Sequence, residues 1–250
     1  MLSFFQFRRR NSDRSWFAMI LWWGIVPWSV GTIGRLLWGY RTVGIQRVPR
    51  TGPALVIANH QSHLDPMFIG VAVRDRGFRA LARQTLMQDL PRFIAWCMRV
   101  GYQTIQLDQD GPDPASLKAS VHELKSGRLS VIFPEGERSD DGTVQPFQRG
   151  VWLLIKRSGA PVLPMGVEGT FDAWPSGGRP TLHARALLHI GELIPHQTLI
   201  EMGPDEGLSY LRQVIDDLRM KARADIRRRS RGRYPRPGPA DQPLQMEPPA

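Results

Sequence analysis

The chain has 250 residues, 42% of them hydrophobic. That suits one domain of ordinary size with appendages and excludes both a disulfide peptide and a wholly disordered chain. Its mean hydropathy of -0.28 excludes a polytopic membrane protein, because several spans of about 20 apolar residues would lift the average above zero. The 33 Lys and Arg against 23 Asp and Glu leave a net charge of +10, which calls for an anionic partner: nucleic acid, an anionic lipid surface or a phosphorylated substrate. A single cysteine, Cys97, supplies no intrachain disulfide, thiolate metal cluster or Cys-x-x-Cys pair, so the working domain is expected to face the cytosol.

Arg8, Arg9, Arg10 and Arg14 precede a run without a charge from Ser15 to Gly34. As one helix this run would be about 30 Å long, the thickness of a bilayer core. A signal peptide, a single span and a segment that enters the membrane and returns compete for it. Ser29-Val30-Gly31 is only a rough cleavage site, and cleavage would strand a disulfide-free domain outside. Arg35, Arg41, Arg47 and Arg50 make the far flank as basic as the near one, which places both ends on the same side and argues against a simple span. Pro27 in mid-run, with Gly24 and Gly31 nearby, predicts a kink, and Trp16, Trp22, Trp23, Trp28 and Trp38 favour the headgroup interface. Residues 1–41 are therefore expected to form a kinked, monotopic helical anchor. The alternative is a helical subdomain packed on the rest.

From residue 42 short apolar runs alternate with helical stretches. Strands are predicted at Ala54 to Ala58, near Phe78 to Ala82, near Gln103 to Leu107, at Leu129 to Phe133, at Val162 to Val167 and near Leu182 to Ile190. Helices are predicted at about Pro66 to Arg74, Leu86 to Arg99, Pro114 to Ser126 and Phe147 to Arg157. A last helix carries Leu208, Leu211, Ile215, Leu218 and Ala222 on one face. The alternation predicts an α/β domain over residues 42–227, a central sheet flanked by helices. Residues 228–250, Arg-rich and then Pro-rich without apolar periodicity, are expected to be disordered.

In open α/β sheets ligands bind beyond the carboxyl ends of the strands, and two polar clusters occupy that position. The first is Asn59-His60-Gln61-Ser62-His63-Leu64-Asp65-Pro66. His60 and Asp65 would lie about 140° apart on an ideal helix, so their contact needs the bent backbone of a strand-to-helix turn. Pro66 at the first helical position makes Asp65 an N-cap. In the catalytic reading His60 takes a proton from an attacking hydroxyl, and Asp65 fixes its tautomer and stabilises the imidazolium. His60, His63 and Asp65 are also competent metal ligands, but no second cluster completes a binuclear site, and no metal is expected. The second cluster is Phe133-Pro134-Glu135-Gly136-Glu137-Arg138-Ser139. There Gly136 lets the backbone approach a ligand and Arg138 offers a planar fork of donors for phosphate. Glu135 can hold that guanidinium or accept from a substrate hydroxyl. A turn with a surface ion pair is the simpler reading of this segment.

Asn59-His60 through Asp65, with Phe133-Pro134-Glu135-Gly136 and Arg138 some seventy residues later, resemble the first and third motifs of the glycerolipid acyltransferases, typified by 1-acylglycerol-3-phosphate acyltransferase. Val162-Leu163-Pro164 resembles the fourth motif, a strand ending in proline, and Phe147-Gln148-Arg149-Gly150 the segment before the family's following helix. The resemblance covers roughly residues 42 to 195. Gly101 to Asp108 matches the frame of the second motif, but Gln109 stands where the family has the Arg credited with holding the acceptor phosphate. Glu137 replaces the usual Thr or Ser of the third motif. Arg83, Arg138 and Arg149 remain candidates for holding a phosphate.

The resemblance implies transfer of a fatty acyl group from acyl-CoA or acyl carrier protein to the free hydroxyl of a lysolipid. The expected acceptor is 1-acyl-sn-glycerol-3-phosphate and the product phosphatidic acid, with His60 as base, Asp65 as its partner, and no cofactor, metal or acyl-enzyme. The alternatives are a different lysolipid such as a lyso-ornithine lipid, glycerol-3-phosphate, or, from another class, a membrane-tethered protein whose Arg-rich tail binds an anion. The tail lacks interleaved aromatics apart from Tyr234, so no nucleic acid is expected, and its charge suits an anionic membrane surface. The expected location is the inner membrane, catalytic domain toward the cytoplasm.

Overall fold

The computed structural model describes residues 20–76, 78–83, 104–107 and 114–244. Its strands are β1 (Arg41–Val43), β2 (Ala54–Ala58), β3 (Phe78–Arg83), β4 (Ile105–Leu107), β5 (Leu129–Ile132), β6 (Val162–Glu168) and β7 (Leu187–Ile190). The helices are α1 (Val26–Trp38), α2 (Asp65–Ala72), α3 (Pro114–Lys125), α4 (Gly150–Ser158), α5 (Thr170–Ala173), α6 (His196–Met202) and α7 (Pro204–Ser230). The helix expected near 86–99 lies outside the described residues.

One seven-stranded sheet runs in the order β1-β7-β6-β2-β5-β3-β4. β2, β5, β3 and β4 are successive parallel neighbours and β6 joins β2 in parallel, while β7 pairs antiparallel with β6. The strand period of two sorts β2 between two cores. Ala54, Val56 and Ala58 face a layer with Phe68 and Ile69 of α2, while Leu55 and Ile57 face Leu124 of α3, Leu154 and Ile155 of α4 and Leu211 and Ile215 of α7. A strand buried on both faces reads as a continuous apolar run, which is why ALVIA was legible. β1 was not, because three residues with one basic, one polar and one apolar side chain give no periodic signal. Pro164 lies inside β6 rather than at its end, its carbonyl accepting the Gly191 N–H.

Of the expected anchor, the described residues 20–41 pack against the domain. Trp22, Trp38 and Tyr40 are buried in the core shared with β2 and α2, and Tyr40 stacks on Phe68 at 4.0 Å while its hydroxyl donates to the Phe68 carbonyl. Gly34 permits this close approach, since a Cβ there would stand 2.7 Å from the Phe68 ring. At Pro27 the helix does not break. The turn Leu21–Ile25 before it widens to a π-helix, with the Val26 N–H on the Leu21 carbonyl, and Pro27 sits in the first turn of α1 where no N–H is needed. Among the described residues no helix is long and apolar enough to cross a membrane.

The tail corrects the expectation of disorder at residue 228. α7 continues to Ser230, and the chain then folds back along it. Arg219 and Arg223 are buried, and a guanidinium without water needs acceptors for its five N–H groups. Glu168 at the end of β6 takes one bond from each, at 3.2 and 2.7 Å. The carbonyls of Ala240 and Gln242 accept from Arg219, that of Arg236 from Arg223, and Asp241 pairs with Arg223 and Arg227. Polar burial holds this segment, so apolar periodicity could not reveal it. Burial pushes the Glu168 carboxyl up, against the pull of Arg223 and Arg219. Replacing Arg219 by Met should strip Asp216 Oδ1 of its donor, leave Glu168 with Arg223 as its one remaining cation among those described, and cost about 3–5 kcal/mol. Urea unfolding of the two proteins measures it, and truncation after Ser230 should destabilise in the same direction.

Candidate active site

β2 and β5 are parallel neighbours with Ile57 beside Ile132, so the segments leaving their carboxyl ends emerge together. Asn59 fixes the first to β6: its side-chain amide donates to the Val167 carbonyl at 2.9 Å and accepts the Val167 N–H at 2.7 Å, as a strand neighbour would. Gln61 donates to the Gly142 carbonyl at 2.7 Å and Ser62 to that of Trp174 at 2.6 Å. Thus anchored, the loop bends enough to bring His60 and Asp65 together.

His60 Nδ1 lies 2.9 Å from Asp65 Oδ2. The same oxygen accepts the N–H groups of Gln61 at 2.6 Å and Ser62 at 2.7 Å. Asp65 therefore does not act as the expected N-cap. It is the first residue of α2, and its carboxylate turns back to the loop instead of forward to the helix. With Asp65 on Nδ1, the ring carries its hydrogen there and leaves the Nε2 lone pair for other work. Nε2 has no partner among the described residues.

The second segment grips the first. The His60 ring stacks on Phe133 at 4.1 Å, the His60 backbone N–H donates to Glu135 Oε1 at 2.7 Å, and the His60 carbonyl accepts the Ser139 N–H at 2.8 Å. Glu135 Oε2 accepts the Gln145 N–H at 2.8 Å. With both oxygens on backbone, Glu135 braces His60 rather than steadying Arg138. Burial pushes its carboxyl up to about 8, against the lowering effect of the two N–H bonds; Asp65 adds to the rise and Arg212 opposes it.

Gly136 turns the chain with φ of 78°, a conformation open to glycine without steric cost. It leads to Arg138, half-buried, whose Nε donates to Ser176 Oγ at 3.3 Å. Arg149 is not gathered with these groups. It precedes α4, is 92% exposed, and lies 3.8 Å from Asp205. Arg83 closes β3, on the far side of β5 from β2; its side chain, and Gln109, lie outside the described residues. His63 lies against Trp174 at 5.1 Å. Among the described residues no three His, Cys, Asp or Glu are placed to hold a metal ion. Asn59, Phe133, Ser139 and Gln145 carry positioning contacts that sequence reasoning did not assign. Only Asn59 and Phe133 had a signal, their place directly after a strand.

The chain is similar in sequence and fold to known proteins. A family model described as Acyltransferase matches residues 40–168. A chloroplastic 1-acyl-sn-glycerol-3-phosphate acyltransferase of Brassica napus is 26% identical over 151 residues, 58% of this chain. The chain spans 43% of that relative's length and 41% of the Arabidopsis thaliana one. A Bacillus subtilis protein named 1-acyl-sn-glycerol-3-phosphate acyltransferase is 22% identical over 179 residues, covering 71% of this chain and 85% of its own. The crystal structure of the 1-acyl-sn-glycerophosphate acyltransferase from Thermotoga maritima has the same fold, with a TM-score of 0.64, 22% identity and 84% of each chain covered.

Glu135 makes stability depend on pH. Its folded pKa is about 8 against an ordinary 4.5, so the folded state holds the proton more tightly and stability falls as pH rises from about 4.5 through about 8. At roughly 1.4 kcal/mol per pKa unit, the fall is a few kcal/mol. Unfolding free energies across that window should slope downward for the native protein, and Glu135→Gln should remove this component of the slope.

Proposed function

The chain belongs to the acyltransferase family, and from that membership we propose that it moves a fatty acyl group from acyl-CoA or acyl carrier protein to the free hydroxyl of a lysolipid, making phosphatidic acid from 1-acyl-sn-glycerol-3-phosphate. The observation that carries this reading is the His60–Asp65 pair at 2.9 Å, with Nε2 unpartnered among the described residues at the carboxyl edge of the sheet. His60 Nε2 takes the hydroxyl proton as the acceptor oxygen attacks the thioester carbonyl. A C–O bond forms and the C–S bond breaks. The proton passes from His60 to the departing thiolate, and the Asp65 carboxylate stabilises the imidazolium between the two steps. Nothing in this sequence of steps needs a cofactor or a protein nucleophile.

Arg138, one turn from Glu135 and brought to the same edge, takes the acceptor phosphate through its planar fork. A second reading, a lysolipid with another headgroup, is favoured by Gln109 and Glu137, which remove one cation and add one anion relative to the family pattern. Arg227 pairs with Asp241 and Arg228 with Asp225, while Arg229, Arg231, Arg233 and Arg236 are exposed on the tail, the feature on which the anion-binding alternative rests. We further propose that α1 rests monotopically on the cytoplasmic face of the inner membrane. Its exposed side presents Ile25, Trp28, Ile33 and Leu36, an apolar stripe of the kind that lies in an interface.

His60→Ala should cut acyl transfer by roughly 10²- to 10⁴-fold with its circular dichroism unchanged; near-native turnover would sink the assignment. A panel of lysolipid acceptors with labelled acyl-CoA decides the headgroup. On the preferred phosphomonoester acceptor, Arg138→Lys should raise KM for the acceptor more than KM for the donor, because it keeps the charge and loses the fork.

A further inference from the structure

From Ala173 to Gly191 the chain contains no acidic residue, and neither does the stretch from Arg14 to Leu64 that includes α1. The structure joins these two stretches. The Trp38 indole N–H, in the last turn of α1, donates to the Thr181 carbonyl at 2.6 Å, the Ala186 N–H donates to the Trp38 carbonyl at 3.0 Å, and the Arg185 side chain lies against Gly39. The other end of the segment touches both loops of the candidate site. The Trp174 carbonyl accepts from Ser62, the Trp174 ring lies beside His63, and Ser176 accepts from Arg138.

Between these fixed ends residues 177–180, Leu182 and His183 are exposed. Leu182 is 61% exposed, as open as Trp28 on α1 at 65%. A leucine held in water among Arg179, His183 and Arg185, with no carboxylate near in sequence, suits a surface that accepts an alkyl side chain and supplies anions beside it. The headgroup layer of an anionic bilayer does both. The segment is joined to the end of α1 at Trp38 and Gly39, and α1 with the residue before it exposes Ile25, Trp28, Ile33 and Leu36, with Arg35 as the charged residue among them.

We propose that residues 174–183 are a second membrane contact, seated in the headgroup layer of an anionic bilayer beside α1. The inference rests on the membrane association proposed above and adds a role to it. The segment that lies on the lipid is the one that touches Ser62, His63 and Arg138, so a lipid acceptor meets the site at the bilayer surface.

The test uses the full-length chain with Cys97→Ser, so that one new cysteine can carry an environment-sensitive fluorophore. Leu182→Cys, Leu36→Cys and, as a control on the outer side of α6, Glu201→Cys are labelled and mixed with phosphatidylcholine vesicles with or without phosphatidylglycerol. Emission should shift to the blue at 182 and 36 on the anionic vesicles and stay put at 201. A shift at 36 without one at 182 overturns the second contact and leaves the α1 reading standing. No shift at either position overturns the membrane association itself. Separately, Arg179→Glu should weaken binding to the anionic vesicles about 25-fold, since a basic residue near such a surface is worth roughly a factor of five and its reversal removes two charges' worth. Turnover of a short-chain acceptor in detergent should stay within about twofold of native, as Arg179 is an exposed side chain outside the two loops around His60. Unchanged vesicle binding by this variant also overturns the proposal.

Discussion

Asp65 Oδ2 lies fully out of water and accepts three hydrogens, from His60 Nδ1 and from the backbone N–H groups of Gln61 and Ser62. A buried carboxylate is tolerable only when donors replace its hydration, and here the donors are the loop itself. The loop therefore cannot relax without stripping the carboxylate, and the carboxylate cannot move without releasing the ring. Loop shape and ring orientation become one constraint. The hydrogen-bonded Nδ1 also fixes which nitrogen is left with a free lone pair, so the chemistry assigned to Nε2 follows from the backbone geometry of the next two residues.

That constraint needs a firm base, and the sheet supplies it through pairs of buried groups. Asn59 ties the loop to Val167, and the next residue, Glu168, is held by Arg219 and Arg223 of α7. These guanidiniums in turn use the carbonyls of the returning tail. A sequence of polar contacts thus runs from the tail to His60 through residues that never meet a substrate. Each link is strong because it is dry, and for the same reason removing one partner leaves the other uncompensated.

The parts of the fold legible in the sequence are those made by apolar periodicity. ALVIA, LSVIF and the Leu208-to-Ala222 face announced β2, β5 and α7 because buried strands and amphipathic helices must write their packing into residue type. The two motif clusters were legible for a related reason, their place directly after such strands. What stayed hidden was held by polar groups or by other parts of the chain. The ordered tail depends on Arg219 and Arg223, which look like solvated helix charges until their burial is known. Glu135 reads as a substrate ligand by type, yet its two oxygens are taken by the N–H groups of His60 and Gln145, partners no spacing rule could name. β1 failed for want of length.

α2 carries Asp65 as its first residue and packs on α1 through Phe68, against Gly34 and Tyr40. The helix proposed to meet the bilayer is thereby one layer removed from the carboxylate that orients His60. For a reaction on a lipid acceptor this proximity has an energetic logic. Extracting a two-tailed or one-tailed lipid into water exposes every methylene of its chain, at about 0.8 kcal/mol each, a cost far beyond what a headgroup contact returns. A site that reaches the hydroxyl at the interface avoids that cost, and needs only to be held at the right height. The α1–α2 contact gives that height a structural origin: α1 seats α2, α2 carries Asp65, and Asp65 orients the ring that must meet the hydroxyl.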